Sequence, residues 1–227
     1  SSAASDVYKR QASVTIDPKT GAVRGYFGGH DSNGWDYANS PLQTGSTFKI
    51  MTLAAALQQG ISLDTNYSSA PYQLPGSDVV TNVGGGCGVC NLREATKQSL
   101  NTSFLRLQED LKNGTQDTAD MAHALGVAKS LPGIEKTLTE KGKQPFEGIV
   151  LGQYQSRPLD MATAMSTLAN QGVWHNPHFV QRVENAAGEV LYEHPEDEGE
   201  RRVSSNVANN VIEAMEPVAA WSNGALA

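Results

Sequence analysis

The sequence predicts a chain of mixed helices and strands folded around one sizeable core. Three observations carry this expectation. Residues 12–16 and 22–27 alternate polar and apolar side chains on either side of Asp17-Pro18-Lys19-Thr20-Gly21, the pattern of two strands joined by a turn. Residues 46–59 are apolar or Ala at most positions, as in a helix buried on nearly all sides. The composition is that of a globular chain, with 227 residues, 39% hydrophobic and 18% charged. That length buries a core without help from metals or many disulfides, and it suits one domain or one domain with a small satellite.

Taken in order, the first element is a hairpin, because Pro18 presets its own φ and Gly21 accepts positive φ. It ends at Gly28-Gly29, and residues 30–45 are polar and turn-rich. The apolar helix then starts at Ser46 and is ended by Gly60, a residue suited to the left-handed position after a helix. Residues 61–90 read as irregular. Asn91 is placed to cap a helix of about two turns running towards Ser99, with Glu94 three residues on. Further helices are expected over 102–112, stopped by Asn113-Gly114, over 116–126, and over 158–171, closed by Gly172. Residues 180–183 and 190–192 flank Asn185-Ala-Ala-Gly188 as a second hairpin, and 193–202 is a charged, solvated loop. A last helix spans 205–218, capped from Ser204-Ser205-Asn206.

Charge and cysteine usage exclude several functions. The net charge is −7 with no basic run, which argues against a nucleic-acid surface and against attraction to anionic lipid. No apolar stretch approaches the ~20 residues of a membrane-spanning helix. Cys87 and Cys90 are the only cysteines. One C-x-x-C pair is half of a zinc ribbon. A local disulfide and two free structural thiols both fit the spacing, and a disulfide would imply an oxidising, extracytoplasmic setting. His175 and His178 flank Asn-Pro with no evident carboxylate partner, and read as loop histidines.

The chemistry is concentrated in Ser46-Thr47-Phe48-Lys49. Residues three apart on a helix share a face, so the hydroxyl and the amine can meet. Ser46 would sit at a helix N-terminus, where free N–H groups and the dipole favour developing negative charge. A lysine one turn inside a buried helix is pushed towards its neutral amine, which can act as a base. Ser99-Leu100-Asn101 falls where a short helix gives way to a longer one. Its hydroxyl could relay a proton near Lys49, and its amide could bind a substrate carbonyl and the Lys49 amine. By itself the tripeptide reads as an ordinary helix cap. Lys19-Thr20-Gly21 precedes both motifs and sits in a turn, so it is set aside.

These stretches resemble a known family. Gln43-Thr44-Gly45-Ser46-Thr47-Phe48-Lys49-Ile50 resembles the active-site helix of penicillin-binding proteins, and Leu92-Arg93-Glu94-Ala95 leading to Ser99-Leu100-Asn101-Thr102 is similar to their second motif. Residues 16–23, 158–172 and 202–204 match the bifunctional, class A members. The family's third motif, K-T-G-T on a sheet-edge strand, is expected beyond Ala227, and its glycosyltransferase domain and membrane anchor upstream of Ser1.

The resemblance implies an α/β fold of the serine β-lactamase-like type, with an antiparallel sheet flanked by helices and an all-helical lobe. It implies one transpeptidase domain over 1–227, C-terminally incomplete. The implied activity is D,D-transpeptidation of peptidoglycan stem peptides ending in D-Ala-D-Ala, on the extracytoplasmic face of a bacterial membrane. Ser46 would be the nucleophile, Lys49 the base, Ser99 a proton relay and Asn101 a substrate-binding residue. β-Lactams would acylate Ser46, and cell-wall assembly proteins would be partners. No nucleic acid, cofactor or metal is expected. The alternatives are a hydrolase of the D,D-carboxypeptidase or β-lactamase type and a non-catalytic β-lactam sensor.

Overall fold

The structure, a computed structural model, describes residues 13–27, 42–43 and 45–224. The Gly28-Gly29 end of the first hairpin and nearly all of the polar stretch 30–45 lie outside these. Among the described residues the chain is built from helices and short antiparallel strand pairs. β1 (Ser13–Ile16) and β2 (Val23–Phe27) form the first hairpin, with Ser13 opposite Phe27 and Thr15 opposite Gly25. Lys19-Thr20-Gly21 forms its turn, closed by the Gly21 amide donating to the Asp17 carbonyl at 2.8 Å.

The apolar segment divides in two. Gly45–Phe48 is a 3₁₀ turn, and the α-helix α1 runs over Lys49–Gln58. Ser46 therefore lies in the tighter turn before the helix, not in the helix itself. α1 is buried because its sides are Met51, Leu53, Ala54, Ala55 and Ala56, each 2% exposed or less. It ends at Gly60, whose φ of +88° opens a Schellman motif. The Ile61 amide donates to Ala56 O at 3.0 Å and the Gly60 amide to Leu57 O at 3.1 Å.

Residues 61–91 are more regular than their sequence suggests. β4 (Asn66–Ser68) pairs with β7 (Val89–Asn91), and β5 (Tyr72–Gln73) with β6 (Val79–Val80). A disulfide joins Cys87 to Cys90, which resolves the two readings of that pair. Asn91 caps α2 (Leu92–Lys97) by accepting from the Glu94 amide at 3.0 Å. Then come α3 (Asn101–Glu109) and α4 (Thr115–Leu125), the latter stopped at Gly126 with φ +132°.

A second 3₁₀ turn, Glu147–Leu151, leads to β8 (Gln155–Ser156), which pairs with β3 (Leu42–Gln43) beside the Ser46 turn. α5 (Pro158–Ala169) starts with Pro158 in its first turn, and Asp160 accepts from both the Arg157 backbone and its guanidinium. β9 (Val173–Trp174) pairs with β12 (Glu200–Arg201), so part of the acidic loop is strand. β10 (Arg182–Glu184) and β11 (Val190–Glu193) form the second hairpin. α6 (Ser205–Gly224) is capped by Ser204, whose hydroxyl accepts from the Val207 amide at 3.1 Å. It runs beyond the expected end at residue 218 and carries Pro217 inside.

The core lies around α1, which is packed between α3, α4 and α6. Phe48, Phe104, Leu107, Leu125, Ile149 and Leu168 fill it. The Ser46 turn is thus anchored at both ends. Phe48 is buried in the core, and the 3₁₀ turn Glu147–Leu151 packs against Gly45–Phe48.

Candidate active site

Ser46 is exposed on the first 3₁₀ turn, and its backbone amide is among those that a helix start leaves without an intrahelical partner. One turn later Lys49 is only 4% exposed. Its Nζ lies 3.2 Å from Ser46 Oγ, 2.9 Å from Ser99 Oγ and 2.7 Å from the Ser99 carbonyl oxygen. One buried amine thus bridges two hydroxyls that are 53 residues apart in the chain, Ser46 and Ser99. No carboxylate appears among these partners. Burial therefore dominates its titration and draws the Lys49 pKa down from 10.5 to about 8.

The position of Ser99 has a local cause. α2 ends in a second Schellman motif, in which the Leu100 amide donates to Ala95 O at 3.0 Å and the Ser99 amide to Thr96 O at 3.1 Å. The residue between must be left-handed, a place glycine usually takes. Here it is Ser99, with φ +52°. A non-glycine residue there costs on the order of 1 kcal/mol, and such outliers concentrate at functional sites. The reversal turns both the carbonyl and the hydroxyl of Ser99 onto Lys49. Leu100, 1% exposed, locks the turn into the core.

Ser46, Lys49 and Ser99 line a cavity of about 380 Å³ together with Thr47 and Thr96. Its apolar walls come from Ile50, Leu53, Phe104, Met165 and Met215. Asn101 stands apart from this hydrogen-bonded set and from the cavity lining. Its amide nitrogen donates to the Thr81 carbonyl at 3.1 Å. Lys19-Thr20-Gly21 and Ser204-Ser205-Asn206 are also absent from the lining.

Two features were not read from the sequence, one beside the Ser46 turn and one outside the cavity. Gly152, with φ +77°, brings the chain so close to the Ser46 turn that a Cβ on it would meet Gly45 N and O at 2.3 Å. Its only sequence signal is a glycine after an apolar run. The second is His175, whose Nδ1 faces Asp197 Oδ2 at 3.6 Å, so it does have a carboxylate neighbour. The acidic loop brings that partner in from 22 residues away.

Comparison with known proteins places this geometry in context. The chain matches the penicillin binding protein transpeptidase domain over residues 11–227. It is 52% identical over 218 residues to penicillin-binding protein 1A of Mycolicibacterium smegmatis, covering 95% of this chain and 28% of that protein. Against penicillin-binding protein 1A of Mycobacterium tuberculosis the identity is 50%, over 95% of this chain and 27% of that one. The chain therefore spans little more than a quarter of the length of these relatives. Among solved structures, penicillin-binding protein PonA1 from M. tuberculosis superposes with a TM-score of 0.88 at 51% identity, over 93% of this chain and 55% of that one. The same protein in complex with penicillin V superposes with a TM-score of 0.87 at 52% identity, over 93% of this chain and 56% of that one. The fold is accordingly the α/β fold of these transpeptidase domains. The chain belongs to the penicillin-binding protein transpeptidase family, in its class A branch.

Proposed function

We propose that the chain carries the acyl-transfer centre of a serine D,D-transpeptidase that cross-links peptidoglycan stem peptides and is acylated by β-lactams. The observation that carries this reading is the buried Lys49 amine held between the hydroxyls of Ser46 and Ser99. In the neutral form Lys49 accepts the Ser46 proton as Oγ attacks the carbonyl of the penultimate D-Ala. With a pKa of about 8, roughly one molecule in ten holds the neutral amine at pH 7. The C–N bond to the terminal D-Ala breaks, and Ser99 passes a proton from Lys49 to the leaving amine. An amine of a second stem peptide then attacks the acyl-enzyme, forms the new amide and restores the Ser46 hydroxyl. The Ser46 amide supplies one hydrogen bond to the developing oxyanion. Asn101 lies outside the cavity lining, so its assignment to the donor peptide rests on motif order alone.

The setting fits this role. The Cys87–Cys90 disulfide suits an oxidising compartment outside the cytoplasm, and the relatives are penicillin-binding proteins. Peptidoglycan stem peptides, β-lactams and cell-wall assembly proteins are the partners we assign, with a membrane anchor and a glycosyltransferase domain elsewhere in the full-length protein. The test is product analysis on the full-length protein that contains this chain, given a peptide ending in D-Ala-D-Ala with and without an amine acceptor. Cross-linked amide in the presence of the acceptor is expected. Hydrolysis alone, with the acceptor ignored, would replace transpeptidation with a carboxypeptidase activity. Absence of any D-Ala release would fit a sensor and contradict the proposal.

A further inference from the structure

The helix that follows Ser99 has no cap of its own. Leu100 occupies its N-cap position in an extended conformation and has no polar side chain to offer. The Thr102 amide, one of the orphan donors of that first turn, is bound instead by Asn82 Oδ1 at 3.1 Å, from a loop 20 residues back in the chain. The Asn82 amide group also exchanges hydrogen bonds with the Thr102 hydroxyl, Nδ2 at 2.9 Å and Oδ1 at 3.2 Å. The same Nδ2 donates to Ser69 O at 3.0 Å. Thr102 is fully buried and Asn82 partly so, so these bonds are partly shielded from water. One residue earlier in each segment, Asn101 Nδ2 donates to Thr81 O. The loop that holds Asn82 is itself tied down. The Ser69 amide donates to Gly88 O at 2.8 Å, the Cys87 amide to Ser69 Oγ at 2.8 Å, and the disulfide closes Cys87 onto Cys90.

We propose that Asn82 is a positioning residue for acyl transfer. By capping α3 from outside the helix, it fixes the turn through Ser99 that delivers a carbonyl and a hydroxyl to Lys49. Ser99 is held at φ +52°, a conformation that persists only where its surroundings enforce it. The Schellman bonds enforce it from the α2 side, and Asn82 enforces it from the α3 side. Once the first turn of α3 frays, Ser99 can relax to negative φ, and both of its oxygens swing away from Nζ. Asn82 is not among the residues that line the cavity, so the effect we assign to it reaches the chemistry through Ser99.

This inference rests on the transpeptidase proposal, and the experiment separates the two. The rate constant for acylation of Ser46 by a fluorescent penicillin is measured on the full-length protein, in wild type and in four variants, with folding checked by thermal denaturation. Wild type that is not acylated at Ser46 would defeat the transpeptidase reading and this inference with it. Given an acylated wild type, Asn82→Ala should react about tenfold more slowly, as loss of a cap and a displaced catalytic turn would cause. Asn82→Asp keeps the acceptor for the Thr102 amide but sets a carboxylate oxygen against Ser69 O, so it should react faster than Asn82→Ala while recovering only part of the loss. Ser204→Ala removes a cap of similar strength from α6 and should leave the rate within about twofold. If Asn82→Ala does not fold, Asn82→Ser, whose hydroxyl stops one bond short of the Thr102 amide, should be at least about threefold slower. An alanine or serine variant within about twofold of wild type, or an aspartate variant as slow as the alanine one, would overturn the assignment. So would a Ser204→Ala rate that falls as far as that of Asn82→Ala, since the loss would then follow general destabilisation.

Discussion

At the scale of the residue, the decisive group is Lys49. Its position one turn after Ser46 was legible, because i, i+3 spacing on any helical turn brings two side chains together. Its lowered proton affinity was legible as well, since Phe48, Ile50, Met51 and Leu53 surround it in sequence and burial is the cause. The contact with the Ser99 carbonyl was not legible. It depends on a serine adopting the left-handed conformation, which nothing in Ser-Leu-Asn announces. Two consequences follow from the buried amine. Acylation should speed up with pH as Lys49 loses its proton around pH 8. A pH–rate profile on the full-length protein flat from pH 6 to about 9 would contradict Lys49 as the base. Stability should respond too. The unfolded lysine titrates near 10.5 and the folded one near 8, so between those values the unfolded chain binds the extra proton and stability rises with pH. The penalty is present in full below pH 8 and is gone above 10.5, a span equivalent to about 3 kcal/mol. Lys49→Met should therefore be more stable than wild type at pH 7, with the advantage shrinking as the pH rises to 10. Denaturant unfolding at the two pH values reads this directly, and a pH-independent difference would contradict it.

At the scale of the element, helices were legible wherever an end carries a chemical mark. Gly60 ends α1, Asn91 starts α2, Gly172 closes the turn after α5, and Ser204 starts α6. The strands of residues 61–91 were not legible, because pairs such as Tyr72–Gln73 with Val79–Val80 are two residues long and cannot show a period of two. The division of the Ser46 segment into a 3₁₀ turn and an α-helix was also hidden, since both place residues three apart on nearly one face. Gly152 belongs to this scale because it joins two elements. Its positive φ and the approach to Gly45 leave no room for a side chain. Gly152→Ala should destabilise the protein by about 3 kcal/mol or more, from the left-handed backbone and the backbone clash together. It should also slow acylation, because the displaced residue is the neighbour of Ser46. Thermal unfolding and acylation rate test this pair of effects. A variant as stable and as reactive as wild type would mean the two turns are not rigidly coupled.

At the scale of the whole molecule, a mixture of helices and hairpins was legible from local pattern, and the α/β class followed from the family that motif order pointed to. The assembly was less legible. Which helices enclose α1, and how β3 meets β8 beside the Ser46 turn, depend on contacts between residues far apart in sequence. The architecture gathers the active-site groups around that enclosed helix, with Ser46 exposed at its head and Lys49 buried beneath. The most direct measurement is intact-mass spectrometry with peptide mapping after the full-length protein is incubated with a β-lactam. One adduct per chain on Ser46 is expected, absent in Ser46→Ala and slowed by about 10²–10⁴-fold in Lys49→Ala. No adduct on the folded wild-type protein, or one mapped to another residue, would contradict the account.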